Sequence, residues 1–418
     1  MLTQRENELL CRVGPGSAMG ELLREYWMPA LRAAALEADG APMRVRLLGE
    51  NFVAFRASDG RVGFFDEGCP HRCTSLALAR NEDNALTCIF HGWKIDVSGK
   101  VVEVPSEPPE RRAEFAAKVR VRHYPVREAG GAVWVYLGRR EPAPGFYDFE
   151  FNRLPAAHSM VIRAVLHANW LQVLEITLDS AHLGILHSHW LRGPNSFASS
   201  LASANTGPTY ELMKTAYGFR EAALRELSDG TVYTRIRELV APFYAFIPSD
   251  PGLLHLMQCP VPIDDYWSVH WTFRYDPWKP ADPAELAASL RGTSGDANNL
   301  HSDLGEFEQM WGQDRKKMTA GHFTGIGSLQ HEDWAVAESA GAISDRAREH
   351  LGSSDSIVIH YRRMMLEAVR AHRQGQPAPG HGQEVDYGAI RAVTLRNAKE
   401  LDWREIDPRN PPTSLALR

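Results

Sequence analysis

The pattern of hydrophobic and polar positions changes texture along the chain. Between Gly16 and Tyr26 the apolar residues Met19, Leu22, Leu23 and Tyr26 recur at helical spacing, and Trp27-Met28-Pro29 follows. This predicts a short helical arm that stops at the proline. From about residue 43 to 140 the pattern becomes short runs: Val45–Leu47, Val53–Phe55, Val62–Phe64, Leu86–Cys88, Lys94–Val97, Val119–Tyr124 and Ala132–Leu137. Gly, Asp and Asn punctuate them, as in a small antiparallel β-domain. Pro142, Pro144 and Gly145 read as a linker. Beyond it, strands over Ser159–His167, Val232–Val240, Tyr244–Ile247 and Trp267–Tyr275 accompany one helix near 169–187. Polar stretches at 291–303 and 372–384 read as surface loops or lids. A helix is predicted over Ile390–Trp403, before a proline-rich tail at Pro408–Pro412. The expected organisation is an α+β protein: a helical arm (1–40), a β-domain (41–150) and a larger mixed domain (151–418).

Composition narrows the class. At 418 residues the chain can bury two full-sized cores. With 44% hydrophobic and 23% charged residues it reads as soluble and globular, and its net charge of -6 gives no reason to expect nucleic-acid binding. No apolar stretch is long enough to span a bilayer, so no membrane partner is expected. The N-terminus lacks a signal-peptide pattern. The cysteines Cys11, Cys69, Cys73, Cys88 and Cys259 suggest no disulfide framework, and a cytoplasmic location is expected.

Two constellations carry chemistry. The first is Cys69-Pro70-His71 with Cys88-Ile89-Phe90-His91, two arms that each supply one thiolate and one imidazole. A Rieske [2Fe–2S] cluster takes Cys on one iron and His on the other. The same four residues could bind zinc, although zinc fingers usually place two Cys in one arm and two His in the other. Gly92 permits a turn beside the metal, and Trp93 can cover the loop. The second constellation is Glu175, Asp179 and His182, at spacings that share one helical face, with His187 five residues on. A π-like turn, or a helix ending near Gly184, would bring the two imidazoles together. Two His and one carboxylate around an open site form the facial triad of non-haem Fe(II) oxygenases. A solvated surface helix is the alternative.

The run from Cys69 to Pro108, with His91-Gly92-Trp93-Lys94, Asp96 and Gly99-Lys100, resembles the Rieske domain of ring-hydroxylating oxygenase large subunits, in their phthalate 4,5-dioxygenase-like branch. The second constellation, after Asn169-Trp170, resembles that family's mononuclear-iron motif. The resemblance implies His182 and His187 as iron ligands. It makes Asp179 the acid that holds a ligand histidine and bridges to a cluster histidine of the neighbouring subunit; Glu175 is grouped with it as catalytic. Gln330-His331-Glu332-Asp333-Trp334 resembles the family's third-ligand segment, with Asp333 at the ligand position and Glu332 as an alternative created by the extra His-Glu. Cys73 stands where the family usually has Gly and reads as a small buried side chain. The implied fold is an antiparallel Rieske domain joined to a helix-grip catalytic domain with an antiparallel sheet.

The resemblance implies a terminal oxygenase, with a Rieske cluster and mononuclear Fe(II) acting on O₂ and an aromatic small molecule. Electrons would come from NAD(P)H through a separate reductase, with or without a ferredoxin domain, because the chain has no Gly-x-Gly-x-x-Gly fingerprint. It implies head-to-tail trimers or hexamers built from them. An aromatic carboxylate or a diaryl ether carrying one is the expected substrate, and O- or N-dealkylation of an aromatic compound is the runner-up. A Rieske electron carrier or redox sensor is the reading from another class. Arg220 and Arg235 are the candidate carboxylate clamps, paired in sequence with Arg225 and Arg237. Ile185, Leu186, Phe243 and Trp334 are candidate substrate contacts, with Trp190, Phe197, Phe246 and Phe323 also flanking the ligands.

Overall fold

Two helices precede the first strand: α1 (Gln4–Cys11), closed by a Thr3/Glu6 capping box, and α2 (Ala18–Leu23), capped by Ser17. Trp27-Met28-Pro29 does not end a helix, contrary to expectation. It opens β1 (Trp27–Arg32), an edge strand that pairs with β10 (Ala132–Tyr136) and slips register between Pro29 and Leu31. A proline costs little at an edge or bulge, where its missing N–H leaves no ladder bond unmade. This computed structural model describes residues 2–192, 197–282, 284, 293–294, 301–302, 307–381 and 384–415.

The β-domain is built from small antiparallel sheets. β2 (Met43–Leu47), β3 (Glu50–Arg56) and β4 (Val62–Asp66) form one. The second comprises β5 (Arg80–Glu82), β6 (Ala85–Thr87), β7 (Lys94–Asp96) and β8 (Val101–Glu103). α3 (Arg112–Ala117) packs on β8, and β9 (Val126–Ala129) completes the β1–β10 sheet. The expected strand at Val119–Tyr124 is reduced to single bridges at Arg120 and His123.

The second half is organised on one antiparallel sheet. Its order is β11 (Ser159–Leu166), β17 (Ser268–Tyr275), β16 (His255–Pro262), β15 (Tyr244–Ile247), β14 (Val232–Val240), β13 (Gly218–Glu226) and β12 (Thr209–Lys214). A pair of two-residue strands, β18 (Thr293–Ser294) and β19 (His301–Ser302), is the described part of the stretch 291–303; the rest of it lies outside the described residues. The segment expected to be helical from Ile390 forms β20 (Val393–Asn397) instead, paired with Val232–Ile236 of β14. Val393, Thr394 and Leu395 are buried there, and β-branched residues suit a covered strand.

Helix α4 (Trp170–Leu178) lies across β15–β17. It is followed by α5 (Leu183–Leu186), α6 (Phe197–Ala204), α7 (Arg315–Thr319), α8 (Leu329–Ser339) and α9 (Ser356–His372). α9 packs against α1, α2 and α4, so the N-terminal helices rest on the larger domain. The segment after Pro144 is no loose linker: Tyr147, Phe149 and Phe151 are buried, and Trp134 of β10 stacks on Phe273 of β17. One core cluster therefore runs through both halves, and a second sits beneath the Cys-His loops.

Candidate metal centres and the adjoining cavity

The two Cys-His arms meet at one end of the β-domain. Cys69 and Cys88 are buried, and the His71 and His91 rings lie 4.5 Å apart. Each loop is a tight turn closed on its own cysteine: Cys73 N–H donates to Cys69 O and Gly92 N–H to Cys88 O, at 2.8 and 2.9 Å. Gly92 adopts φ 70°, and a Cβ there would meet Pro105 Cγ at 2.9 Å. Trp93 stacks on His71 at 4.6 Å and donates to Ser106 Oγ at 3.0 Å, which covers the loop as expected. Burial first, and then the neighbouring Cys88 thiol, push the Cys69 thiol up to about 11, while backbone N–H donors act against them. Two converging sulfurs and a buried His71 Nδ1 without a protein partner fit a metal cluster.

Cys73 is not buried, as its small side chain had suggested. It is exposed, with φ 58°. A left-handed backbone is the reason glycine suits this position. Cys73→Gly is expected to stabilise the chain by about 0.5–1 kcal/mol, the relief of a left-handed side chain less the extra freedom of the unfolded glycine. A higher thermal midpoint with an unchanged cluster spectrum is the check; a lower midpoint would contradict it.

The second constellation is not one helical face. Asn169 caps α4, accepting from Leu171 N–H at 3.1 Å, and the helix ends at Leu178 with Asp179 as its C-cap. His182 begins the next turn and His187 ends α5. Gly184 lets α5 pack directly on the backbone of α6, because a Cβ there would meet Ala202 O at 2.2 Å. Asp333 arrives from α8, started by the Ser328 cap. One ligand atom each from His182, His187 and Asp333 fall within 4.8 Å of one another. The Nε2 atoms of His187 and His182 stand 3.0 and 3.6 Å from Asp333 Oδ1. That oxygen nevertheless makes no hydrogen bond, so the three groups converge on a point rather than on each other. The arrangement fits a cation held by two imidazoles and a carboxylate.

Each imidazole is gripped from behind. His182 Nδ1 lies 3.2 Å from Asp179 Oδ2, and His187 Nδ1 lies 2.7 Å from Glu332 Oε2. Glu332 is fully buried and also accepts from Thr324 Oγ1, so it stands behind His187 rather than among the converging atoms. Burial raises the Asp179 carboxyl, but His182 and the Ala181 and His182 amides outweigh it and bring the group to about 2. Burial disfavours the His187 cation, yet Asp333 and Glu332 lift it to about 9. The site is thus built for positive charge, which a metal supplies by displacing the proton.

Glu175 is not brought to this site. It accepts from Arg346 at 2.8 Å and Arg362 at 2.6 Å, both buried, and those arginines reach Asn7 of α1 and Glu349. Burial raises the Glu175 carboxyl and the two guanidiniums pull it down below its ordinary value. The cluster anchors α4, which carries Asp179 at its end.

A cavity of about 570 Å³ opens beside the triad, lined by Asp179, His182, His187 and Asp333 at one end. Strand alternation sends Arg235 and Arg237 of β14, Gln258 of β16, and His270 and Arg274 of β17 to it. Arg235 is buried and donates to Pro248 O at 2.8 Å and Tyr233 Oη at 3.2 Å, while its Nε has no partner. Arg237 donates to Leu178 O, just before Asp179. Trp334 lines the cavity and donates from Nε1 to His270 Nδ1 at 3.3 Å. Burial depresses the His270 imidazole to about 4, although Asp333 opposes this.

Other candidate contacts fall elsewhere. Arg220 pairs with Glu238 at 3.1 Å in a separate cavity, with Tyr217. Phe243 and Phe246 are core residues, Ile185 and Phe323 are exposed, and neither Leu186 nor Trp190 lines the cavity. The Phe197 side chain lies outside the described residues. His270 and Arg274 escaped the sequence reading, though two polar residues at even spacing in an apolar strand were a usable signal.

Residues 26–125 match the Rieske [2Fe-2S] domain family, and residues 135–414 match the family described as LigXa C-terminal domain like. The chain is 36% identical to the phthalate 4,5-dioxygenase oxygenase subunit of Pseudomonas putida, over 98% of this chain and 95% of that protein. It is 36% identical to the 3-chlorobenzoate-3,4-dioxygenase oxygenase subunit of Comamonas testosteroni, over 96% and 97%. Identity to the 5,5'-dehydrodivanillate O-demethylase oxygenase subunit of a Sphingobium species is 31%, over 90% and 82%. Among solved structures, the terminal oxygenase of carbazole 1,9a-dioxygenase from Nocardioides aromaticivorans shares the fold, with TM-score 0.58, 18% identity and coverage of 88% and 97%.

Proposed function

The chain belongs to the Rieske non-haem iron ring-hydroxylating oxygenase large subunits, in the phthalate 4,5-dioxygenase-like branch, and from that premise we propose that it oxygenates an aromatic carboxylate. It is the terminal oxygenase of a multicomponent system, which removes the electron-carrier reading. When bound, the Rieske cluster relays single electrons and the mononuclear Fe(II) supplies dioxygen activation. Cys69, His71, Cys88 and His91 would hold the first, and His182, His187 and Asp333 the second. Asp179 and Glu332 contact the Nδ1 side of the two imidazoles and so fix their orientation. The apolar walls, Val173, Ile176, Leu254 and Leu256 among them, keep water from the ring of the substrate.

The carboxylate reading is carried by Arg235, a buried guanidinium with an unpartnered Nε–H on the cavity wall. Similarity to dioxygenase subunits named for phthalate and chlorobenzoate supports it. Similarity to an O-demethylase subunit supports O-dealkylation of an aromatic acid as the second reading. A separate NAD(P)H-dependent reductase is the electron source. We also place the chain in a head-to-tail trimer, alone or doubled into a hexamer. Leu78, Ile89 and Phe90 stand exposed around the cluster loops, an apolar rim suited to a neighbouring subunit. Among the described residues no helix is long and apolar enough to cross a membrane, and the absence of a disulfide among Cys11, Cys73 and Cys259 suits the cytoplasm.

Reconstitution with an NAD(P)H-dependent reductase and a panel of benzoates is the test. Oxygenated product is expected, and Arg235→Leu should raise KM about 10- to 100-fold, the worth of one charge-assisted hydrogen bond. Turnover that ignores the carboxylate, or an unchanged KM, would refute the reading.

A further inference from the structure

His270 stands at the triad end of the cavity, and the protein itself sets its tautomer. The Trp334 indole N–H can only donate, and it donates to His270 Nδ1 at 3.3 Å. Nδ1 is therefore unprotonated and the ring proton sits on Nε2. The side chain is buried, at 4% exposure, and Nε2 has no partner in the protein. Trp334 follows Asp333 on α8, which fixes this N–H beside the triad. Arg235 is held instead by Pro248 O, and the adjoining Ser249, Asp250 and Leu253 line both this cavity and a neighbouring groove. The cavity thus offers a guanidinium on its β14 wall and a fixed neutral donor beside the triad.

We infer that His270 Nε2–H recognises an uncharged oxygen substituent, hydroxyl, alkoxy or aryloxy, on the aromatic ring presented to the triad. The inference rests on the carboxylate reading above and narrows the substrate class to aromatic acids that carry a ring oxygen. An uncharged acceptor is favoured over a second carboxylate because the neutral imidazole brings no countercharge to a buried anion held against it. A carbon isostere at the same position would leave the buried N–H unmet, and that loss gives the site its discrimination.

The experiment compares 3- and 4-methoxybenzoate with 3- and 4-ethylbenzoate, binding each to the holoenzyme without O₂ and reading Kd by calorimetry. Wild type is expected to prefer the better-placed methoxy compound over its ethyl isostere by about 10-fold or more, the size of one buried hydrogen bond. His270→Leu should bring that ratio close to one with iron content unchanged. His270→Gln, which keeps a side-chain N–H, should retain part of it. Trp334→Phe, which frees the tautomer, should weaken it. A wild-type ratio of one, a ratio kept in His270→Leu, or isophthalate binding tighter than both would overturn the inference. Arg235→Leu separates the two readings: it should weaken methoxy and ethyl compounds equally. If it weakens neither while the ratio still depends on His270, the carboxylate reading fails and the ring-oxygen assignment stands.

Discussion

Asp333→Ala is expected to lower iron from about three to about two atoms per subunit and abolish product formation, with the cluster's optical and EPR signals intact. Asp333 Oδ1 is the carboxylate oxygen that faces the same point as both histidine Nε2 atoms, 3.0 and 3.6 Å from them. Without it two neutral imidazoles remain, too few for a stable Fe(II) site. Glu332→Gln makes the decisive comparison. Glu332 holds His187 through Nδ1, on the side away from the convergence point, so its amide should weaken iron affinity only about 10- to 100-fold. Iron and turnover surviving in Asp333→Ala but lost in Glu332→Gln would reverse the assignment of the third ligand.

Asp179→Asn is expected to leave both metal sites loaded at saturating iron, with affinity lowered about 10- to 100-fold as in Glu332→Gln, yet slow electron delivery between them by orders of magnitude. Its carboxylate is pulled to about 2, accepts from the Ala181 and His182 amides, and faces His182 Nδ1 at 3.2 Å. Tyr210 Oη also donates to Oδ1 at 3.1 Å, so an asparagine can keep the Oδ1 contacts while the negative charge and the Oδ2 acceptor that faces His182 are lost. The group is partly exposed, at 28% of its side chain, as the proposed contact with a neighbouring subunit's cluster loop requires. Chemical reduction of the cluster should proceed normally, whereas its reoxidation in single turnover with substrate and O₂ should be far slower. Rapid reoxidation with full product yield would place the electron path elsewhere.

Much of the chemistry was legible because it is local. Each Cys-His arm lies within one short loop, and His182 and His187 are separated by a single turn, so residue spacing alone brings these groups together. The strands at Val232–Val240 and Tyr244–Ile247 were readable for the same reason, since alternation and β-branching act within a few residues. Where a local rule met a tertiary constraint, the local rule lost. Pro29 lies in an edge strand because β10 has a free side there, and Ile390 onward becomes a strand because β14 offers an open ladder.

The sequence by itself singled out the candidate ligand residues of both centres, with Glu332 still open beside Asp333, and the kind of fold that presents them. Only the tertiary structure decided which polar residues serve them. Arg220 and Arg235 look equivalent in sequence, yet strand register turns one to Glu238 and the other into the cavity. Glu175 looked like part of the triad's helix face, but α4 stops at Leu178 and leaves it to Arg346 and Arg362. Glu332 and His270 acquire their roles from partners far along the chain, His187 and Trp334. A side chain's partner depends on sheet sidedness and helix ends, which are set by packing over long separations and leave no periodic trace in the residues themselves.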